Sequence, residues 1–507
     1  MTAAPGLLSG STPEIEAPDP RAAPGRRNRF LRGGMWSLLV VVIVFTIGLR
    51  LPAFFVPVFN SDETFLATQA QVIEDGGNLY HDAADRKPPL VPYIYAATFE
   101  TFDTHELWSV RLVAMGAVAL TAMLLALEAR RRYGLRAAWM AGLLCVFALI
   151  AFAPQDGQAA NFEIFMLPAM AASVLLARRG RATASGVAVA VATLAKQTGA
   201  ATLLPVLYLV WKAHGRKGVV RALAGFGIPL ALVALAMGPR QLVYWTVLGN
   251  GSYVGLRTAT TSVLTMLVVM SLAWVACNLP IVWRLPQAWR ERRLRGLDGG
   301  HDLDLWLWTA SAALSVMVGL RFFGHYYLQL VPPLCLLSAG ALSRATRRTA
   351  KGTVAFAAIA AVAFSAAGYF LHPFGQEPHY QSVSAFLEET TKPSDRILVW
   401  GSVPEIYWAS DRRPATRFPT TLTFLANNNP GRSPADAAPE NSSPQVWEWF
   451  FEDLAAHPPT YIVDTSPADI RGAQWTPISR FPRLQSLVND QYEYVLSIDK
   501  IAVYRRK

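Results

Sequence analysis

Asn60–Tyr93 reads NSDETFLATQAQVIEDGGNLYHDAADRKPPLVPY. It holds Asp62, Glu63, Glu74, Asp75, Asp82, Asp85, Arg86 and Lys87 between an apolar run ending near Phe55 and another beginning near Trp108. A plain connector between membrane helices needs no such density of ionisable groups. The stretch reads as a catalytic loop set between two membrane spans, and the rest of the chain is weighed against that expectation.

The 507 residues are 52% hydrophobic and only 16% charged, with a formal net charge of +11. Soluble domains carry about a quarter charged residues, so lipid is the expected solvent. The basic excess does not point to nucleic acid, because the cations fall in short bursts between apolar runs. Cys145, Cys277 and Cys335 lie inside apolar runs, have no metal-ligand spacing and suggest buried, inert thiols. Residues 1–34 are rich in Pro, Ala, Gly and Arg and are expected to be a disordered cytoplasmic segment. The apolar run from Met35 has no small-residue cleavage site after it, which favours a retained first membrane helix over a cleaved signal.

A span needs about 20 apolar residues. On that rule eleven candidate spans are expected: 35–55, 108–128, 137–153, 162–177, 183–196, 199–212, 219–238, 261–283, 305–321, 326–343 and 353–371. The fifth and sixth are kept separate because one span over both would put Lys196 at the bilayer centre, at high cost. With the N-terminus inside, every inner segment is basic. The clusters are Arg26 to Arg32, Arg130 to Arg136, Arg178 to Arg181, Lys212 to Arg221, Arg284 to Arg295 and Arg344 to Lys351. This asymmetry orients the chain. It places the loop 56–107 outside, along with everything beyond the membrane module 35–371. The C-terminal part, 372–507, has β-like runs at Arg396–Trp400, Tyr461–Asp464, Tyr492–Ile498 and Ile501–Tyr504, and helix-like runs at Gln381–Glu389 and Val446–Ala456. It reads as a small α/β domain. Residues 427–444 read as a mobile loop, and Asn441-Ser-Ser matches a glycosylation sequon.

Several outer residues suit chemistry. Asp62 and Glu63 form an acidic pair at the water–lipid boundary, placed for a general base. They equally suit the first turn of a helix, with Ser61 as cap. Arg86 and Lys87 beside Pro88-Pro89 make a pre-organised phosphate grip, or a headgroup anchor. Lys196 is a lone cation at an outer vertex, and such charges suggest function. Glu163 begins the fourth span, either at a site or holding a helix pair. His325, Tyr326 and Tyr327 form a polar aromatic cluster, for binding or as an interfacial belt. No histidine pair at metal-ligand spacing, Gly-rich phosphate loop or Walker sequence occurs, so an ATP-driven pump is excluded.

Taken together, Leu49-Arg50-Leu51-Pro52 before Asp62-Glu63, Lys87-Pro88-Pro89-Leu90, Glu163, Leu194-Ala195-Lys196-Gln197, and His325-Tyr326-Tyr327 with Pro332-Pro333 carry a resemblance. The chain from about 50 to 350 resembles the GT-C fold membrane glycosyltransferases, the protein O-mannosyltransferase and lipid A aminoarabinose transferase family. The resemblance implies an inverting transferase of the cell membrane. It would use a polyprenyl-phosphate-linked sugar donor, such as mannose or arabinose, and a cell-envelope acceptor on the outer face. Asp62 would be the catalytic acidic residue that activates the acceptor hydroxyl, Glu163 the second acidic residue, and Lys87 and Lys196 would hold the donor phosphate. Glu63, Arg86, His325, Tyr326 and Tyr327 would complete the substrate site. No cofactor is required on this reading. Arg86 stands where the family has an acidic residue before the loop lysine, which counts against a metal site there. Lipid-linked sugar transport and a non-catalytic scaffold are the rival readings; the absence of an obvious internal repeat and the clustering of charge at one face weigh against transport.

Overall fold

The computed structural model describes residues 25–250, 260–294, 302–370, 379–428 and 443–507. Most of the expected disordered N-terminus, the sequon at Asn441 and most of the 427–444 loop lie outside the described residues. Helix α1 already begins at Gly25, ahead of the apolar run, and continues to Arg50.

The predicted apolar runs lie largely in helix, though those from 137 and 305 leave it at Ala148 and Met317. After α1 come α2 (Ser61–Glu74), α3 (Leu90–Phe102), α4 (Leu107–Tyr133), α5 (Leu135–Ala148), the short α6 (Pro154–Gln158), α7 (Phe162–Arg178), α8 (Ala182–Ala195) and α9 (Leu203–Met237). Then follow α10 (Pro239–Thr246), α11 (Thr260–Cys277), α12 (Leu279–Val282), α13 (Leu285–Leu294), α14 (Leu303–Met317), α15 (Val331–Arg344) and α16 (Arg347–Phe370). Among the described residues five helical stretches are long and apolar enough to cross a membrane, and Val263–Cys277 with Leu279–Arg293 makes a sixth, bent by 86°. Helices such as α5 and α8 are apolar but have 14 residues each. That is about 21 Å of helix, short of the roughly 30 Å hydrocarbon core. The predicted sixth and seventh spans are both in α9, which Gly215 breaks at φ +57°. Gly218 lies against the Val210 carbonyl, so the chain folds back on itself there.

Charged residues at these helix ends pair with one another. Arg132 donates to Asp304 at 2.6 Å and to Glu128 at 2.5 Å, and Arg178 reaches Asp304 at 2.9 Å. This buried network ties α4, α7 and α14 together. Its acidic members went unmarked in the sequence because single carboxylates inside apolar runs have no spacing signature.

The C-terminal domain holds α17 (Gln381–Thr390), β1 (Arg396–Trp400), α18 (Glu405–Ser410), β2 (Arg413–Pro414), α19 (Thr421–Leu425), α20 (Pro444–Ala456), β3 (Tyr461–Asp464), α21 (Pro482–Gln491), β4 (Tyr492–Ile498) and β5 (Ile501–Arg506). The sheet order is β2-β1-β3-β5-β4. β1 pairs parallel with β2 and β3, while β5 pairs antiparallel with β3 and β4. β1 and β3 are apolar over nearly their whole length because both faces are covered. The two-residue β2 escaped prediction, being too short to show a period. Loop 78–85 packs into the same apolar cluster as this domain, through Leu79, Tyr80, Ala83 and Ala84.

Candidate active site

Helix α2 is started by Asn60, whose side-chain oxygen accepts the Asp62 backbone N–H at 2.9 Å. Asn60, one residue before the predicted Ser61, is therefore the cap. Asp62 and Glu63 occupy the first turn, where the helix dipole favours anions. Adjacent helical residues diverge by about 100°, and the two carboxylates end in different surroundings.

Asp62 is partly open and pairs with Lys87 Nζ at 3.3 Å. Burial opposes its ionisation, but the charges of Lys87, His325 and Lys196 outweigh that and hold its carboxyl below the ordinary aspartate value. Lys87 also lies over the Phe162 ring, 3.9 Å from its centre. Its position is fixed through the backbone: its N–H donates to Asp85 at 3.0 Å, and its carbonyl accepts the Tyr80 hydroxyl at 2.9 Å. Burial pushes the Asp85 carboxyl up to about 6, against the Lys87 charge.

Glu163 and Lys196 form a second, buried ion pair. Asn161 caps α7, accepting the Ile164 N–H at 3.2 Å, which puts Glu163 in the first turn. Lys196 ends α8 in extended conformation at the expected vertex, with its ammonium 4.2 Å from the Tyr326 ring centre. His325 Nε2 lies 3.9 Å from Glu163, and its Nδ1 lies 3.1 Å from Asp156. Asp156 also accepts from Asn60 Nδ2 at 2.8 Å and from the His325 backbone N–H at 3.0 Å. An added Cβ on Gly324 would stand 2.6 Å from Asp156 Oδ2, so only glycine admits this approach. Asn60, Asp156 and His325 thus join the cap of α2 to the second ion pair.

Three predicted substrate-binding residues are placed differently. Glu63 is fully buried and takes two charge-assisted bonds from Arg111, at 2.9 and 2.6 Å, and the Ala160 N–H at 2.9 Å. Arg111 in turn donates to the carbonyls of Ala53, Val56 and Pro57. Glu63, expected at the substrate, is thus engaged by Arg111 and the Ala160 backbone. Arg86 does not extend the Lys87 grip. Its guanidinium donates to the Thr423 carbonyl at 3.2 Å and lies 4.8 Å from the Phe424 ring centre, tying the loop to the C-terminal domain. Tyr327 points away from the charges, stacked on Trp274 with its hydroxyl 3.0 Å from Ser271 Oγ.

Asn60, Asp156 and Arg111 were not singled out as site residues. A signal existed for Asn60, since Asn-Ser-Asp-Glu is a helix start. Asp156 and Arg111 had none, because their partners lie 96 and 48 residues away. Among the described residues no group of three or more His, Cys, Asp or Glu side chains is arranged to hold a metal ion.

Residues 86–245 match the family model described as dolichyl-phosphate-mannose-protein mannosyltransferase. No curated protein matches the chain by sequence. Among solved structures, ArnT from Cupriavidus metallidurans bound to undecaprenyl phosphate is similar with a TM-score of 0.60 at 16% identity, over 93% of this chain and 97% of that one. Its apo state gives 0.62 at 15% identity, over 94% and 98%. The Archaeoglobus fulgidus oligosaccharyltransferase in complex with Zn and sulfate gives 0.51 at 15% identity, over 92% of this chain and 73% of that one. This multi-pass membrane chain therefore has the fold of the GT-C glycosyltransferases, with the mannosyltransferase family's sequence pattern across residues 86–245.

Proposed function

We propose that the protein is an inverting glycosyltransferase that moves a sugar from a polyprenyl-phosphate donor to a hydroxyl of a cell-envelope glycan, lipid or protein. The observation that carries this is the meeting of two carboxylate–lysine pairs, Asp62–Lys87 and Glu163–Lys196, within electrostatic reach of each other. The undecaprenyl phosphate bound to the similar ArnT supports a lipid-phosphate donor here. The basic inner segments support an outer-face reaction with the N-terminus inside.

On this reading the donor phosphate lies between Lys87 and Lys196. The acceptor hydroxyl oxygen forms a bond to the anomeric carbon as the bond from that carbon to the phosphate oxygen breaks. The electron pair leaves with the polyprenyl phosphate, and the hydroxyl proton passes to Asp62. Fixed cations beside the leaving phosphate stabilise charge that grows in the transition state. Bound phosphate also draws Lys87 away from Asp62. The carboxylate then loses the charge that depresses its basicity, just where a base is needed. Glu163 holds Lys196 and keeps the buried ammonium compensated until donor arrives.

The test uses purified protein in detergent with polyprenyl-phosphate mannose or arabinose and envelope-derived acceptors. Product is identified by mass spectrometry and its anomeric configuration by NMR. Inverted product, lost in Asp62→Asn and Asp62→Ala, is expected. Turnover by both variants at the wild-type rate would remove Asp62 from the chemistry. Transport of a lipid-linked sugar without product would favour the transporter.

A further inference from the structure

At the far end of α2 from Asp62, His105 stands between two carboxylates. Its Nε2 is 3.3 Å from Glu74 Oε2, and its Nδ1 is 3.3 Å from Asp411 Oδ1. Glu74 belongs to α2, whereas Asp411 follows α18 of the C-terminal domain. A neutral imidazole has one N–H and donates to one partner; only the imidazolium donates to both. The same junction has contacts that do not depend on His105 protonation. Gln71 Nε2 donates to Asp411 at 2.9 Å, Trp408 Nε1 donates to the His105 carbonyl at 2.9 Å, and Arg413 pairs with Asp75. The His105 ring sits edge-on against Phe99.

We propose that His105 is a positioning residue whose protonated ring clamps the C-terminal domain to the helix that carries Asp62, so that transfer declines as His105 loses its proton. This rests on the transferase reading of the Asp62 site. Glu74 and Asp411 face His105; Asp75, just after α2, and Glu100 on α3 act on Glu74, and Arg412 and Arg413 of the domain act on Asp411. Carboxylates and guanidinium ordinarily keep their charge between pH 6 and 9, so histidine is the member whose charge changes there. The Asp411 hydrogen bond, aided by the Glu74 charge and opposed by partial burial, holds His105 above its ordinary value. A raised value in the docked state means that docking is fully supported below the ordinary histidine value and weakens as pH rises through the docked one.

The domain contact also feeds the site along a second route. Arg86, next to Lys87, holds the Thr423 carbonyl, and Ser402 Oγ meets Thr423 Oγ1 at 3.1 Å. Loosening α18 therefore loosens the segment to which the Lys87 loop is tied.

Two measurements test the clamp in the full-length protein. The first is hydrogen exchange of residues 405–412 against pH, corrected for intrinsic exchange, which needs no turnover. Wild type is expected to lose protection severalfold between pH 6 and 9, His105→Arg to keep it throughout, and His105→Gln to lack it throughout. The second is transfer against pH: an alkaline fall in wild type, moved to higher pH in His105→Arg and replaced by a low, flat rate in His105→Gln. Protection that is independent of pH, or unchanged in both variants, overturns the clamp. Absence of transfer in wild type with the exchange pattern as expected instead overturns the transferase reading and leaves the clamp standing.

Discussion

Asp62 and Glu63 are chain neighbours of like charge, and the structure assigns them opposite consequences. Glu63→Gln keeps the volume but removes the charge opposite Arg111, which is only 3% exposed. Breaking one partner of a buried pair costs about 3–5 kcal/mol, because the remaining ion stays desolvated. The glutamine amide retains one acceptor oxygen for the Ala160 N–H, so the lower half of that range is expected. Asp62→Asn acts on a partly open pair with Lys87, and such pairs contribute about 1 kcal/mol or less. The same change removes the proposed base, worth about 10²–10⁴-fold in rate. The assay is denaturant or thermal unfolding in detergent beside steady-state transfer. Glu63→Gln should unfold far earlier, and the fraction that stays folded should turn over. Asp62→Asn should unfold with the wild type and fail to transfer. A Glu63→Gln protein as stable as the wild type yet fully inactive would refute this reasoning and put Glu63 in the reaction.

Four further outcomes are expected. Because Lys87 is the largest charge holding the Asp62 carboxyl down, the acid limb of kcat/KM should lie below the ordinary aspartate range in the wild type and move upward in Lys87→Met, measured on its residual activity; an unmoved limb would mean that another group sets it. Lys196→Met takes the nearest cation from buried Glu163 and leaves it only His325 at 3.9 Å, costing up to about 3–5 kcal/mol, whereas Glu163→Met with Lys196→Met should recover most of that stability without activity, as unfolding and transfer assays would read. Gly324→Ala would set its Cβ 2.5 Å from Ala153 Cβ and 2.6 Å from Asp156 Oδ2, so the segment must shift; displacing the site by about 1 Å should cost about 10²-fold in kcat, with a fall in stability on unfolding. Arg86→Ala should raise hydrogen exchange around Thr423 and lower kcat more than it weakens donor binding, since its guanidinium meets the domain; a loss confined to donor affinity would restore it to the phosphate grip.

Much of the fold was legible because lipid imposes a coarse code. Apolar runs broken by short basic bursts follow from the cost of burying charge in lipid. Strands β1, β3 and β4 of the C-terminal sheet could be read with their observed bounds because β-branched and aromatic runs sat between turn residues. Helix lengths were less legible. Short helices such as α5 and the broken α9 look like whole spans by composition, because hydropathy does not register where a backbone turns.

For the site, the sequence by itself determined which chemistry was on hand: acids at the start of α2, a cation beside Pro88-Pro89, and Lys196 at a vertex too polar for the bilayer. Tertiary structure alone decided which of these groups meet. Asp62 and Glu63 have the same chemistry and are told apart only by the rotation of one helical residue, which turns one carboxylate to Lys87 and the other to Arg111. Arg86 and Lys87 part at a bend in the loop, one to the domain and one to the site. Pairing energies depend on burial and on partners tens to hundreds of residues away, and a linear pattern carries neither.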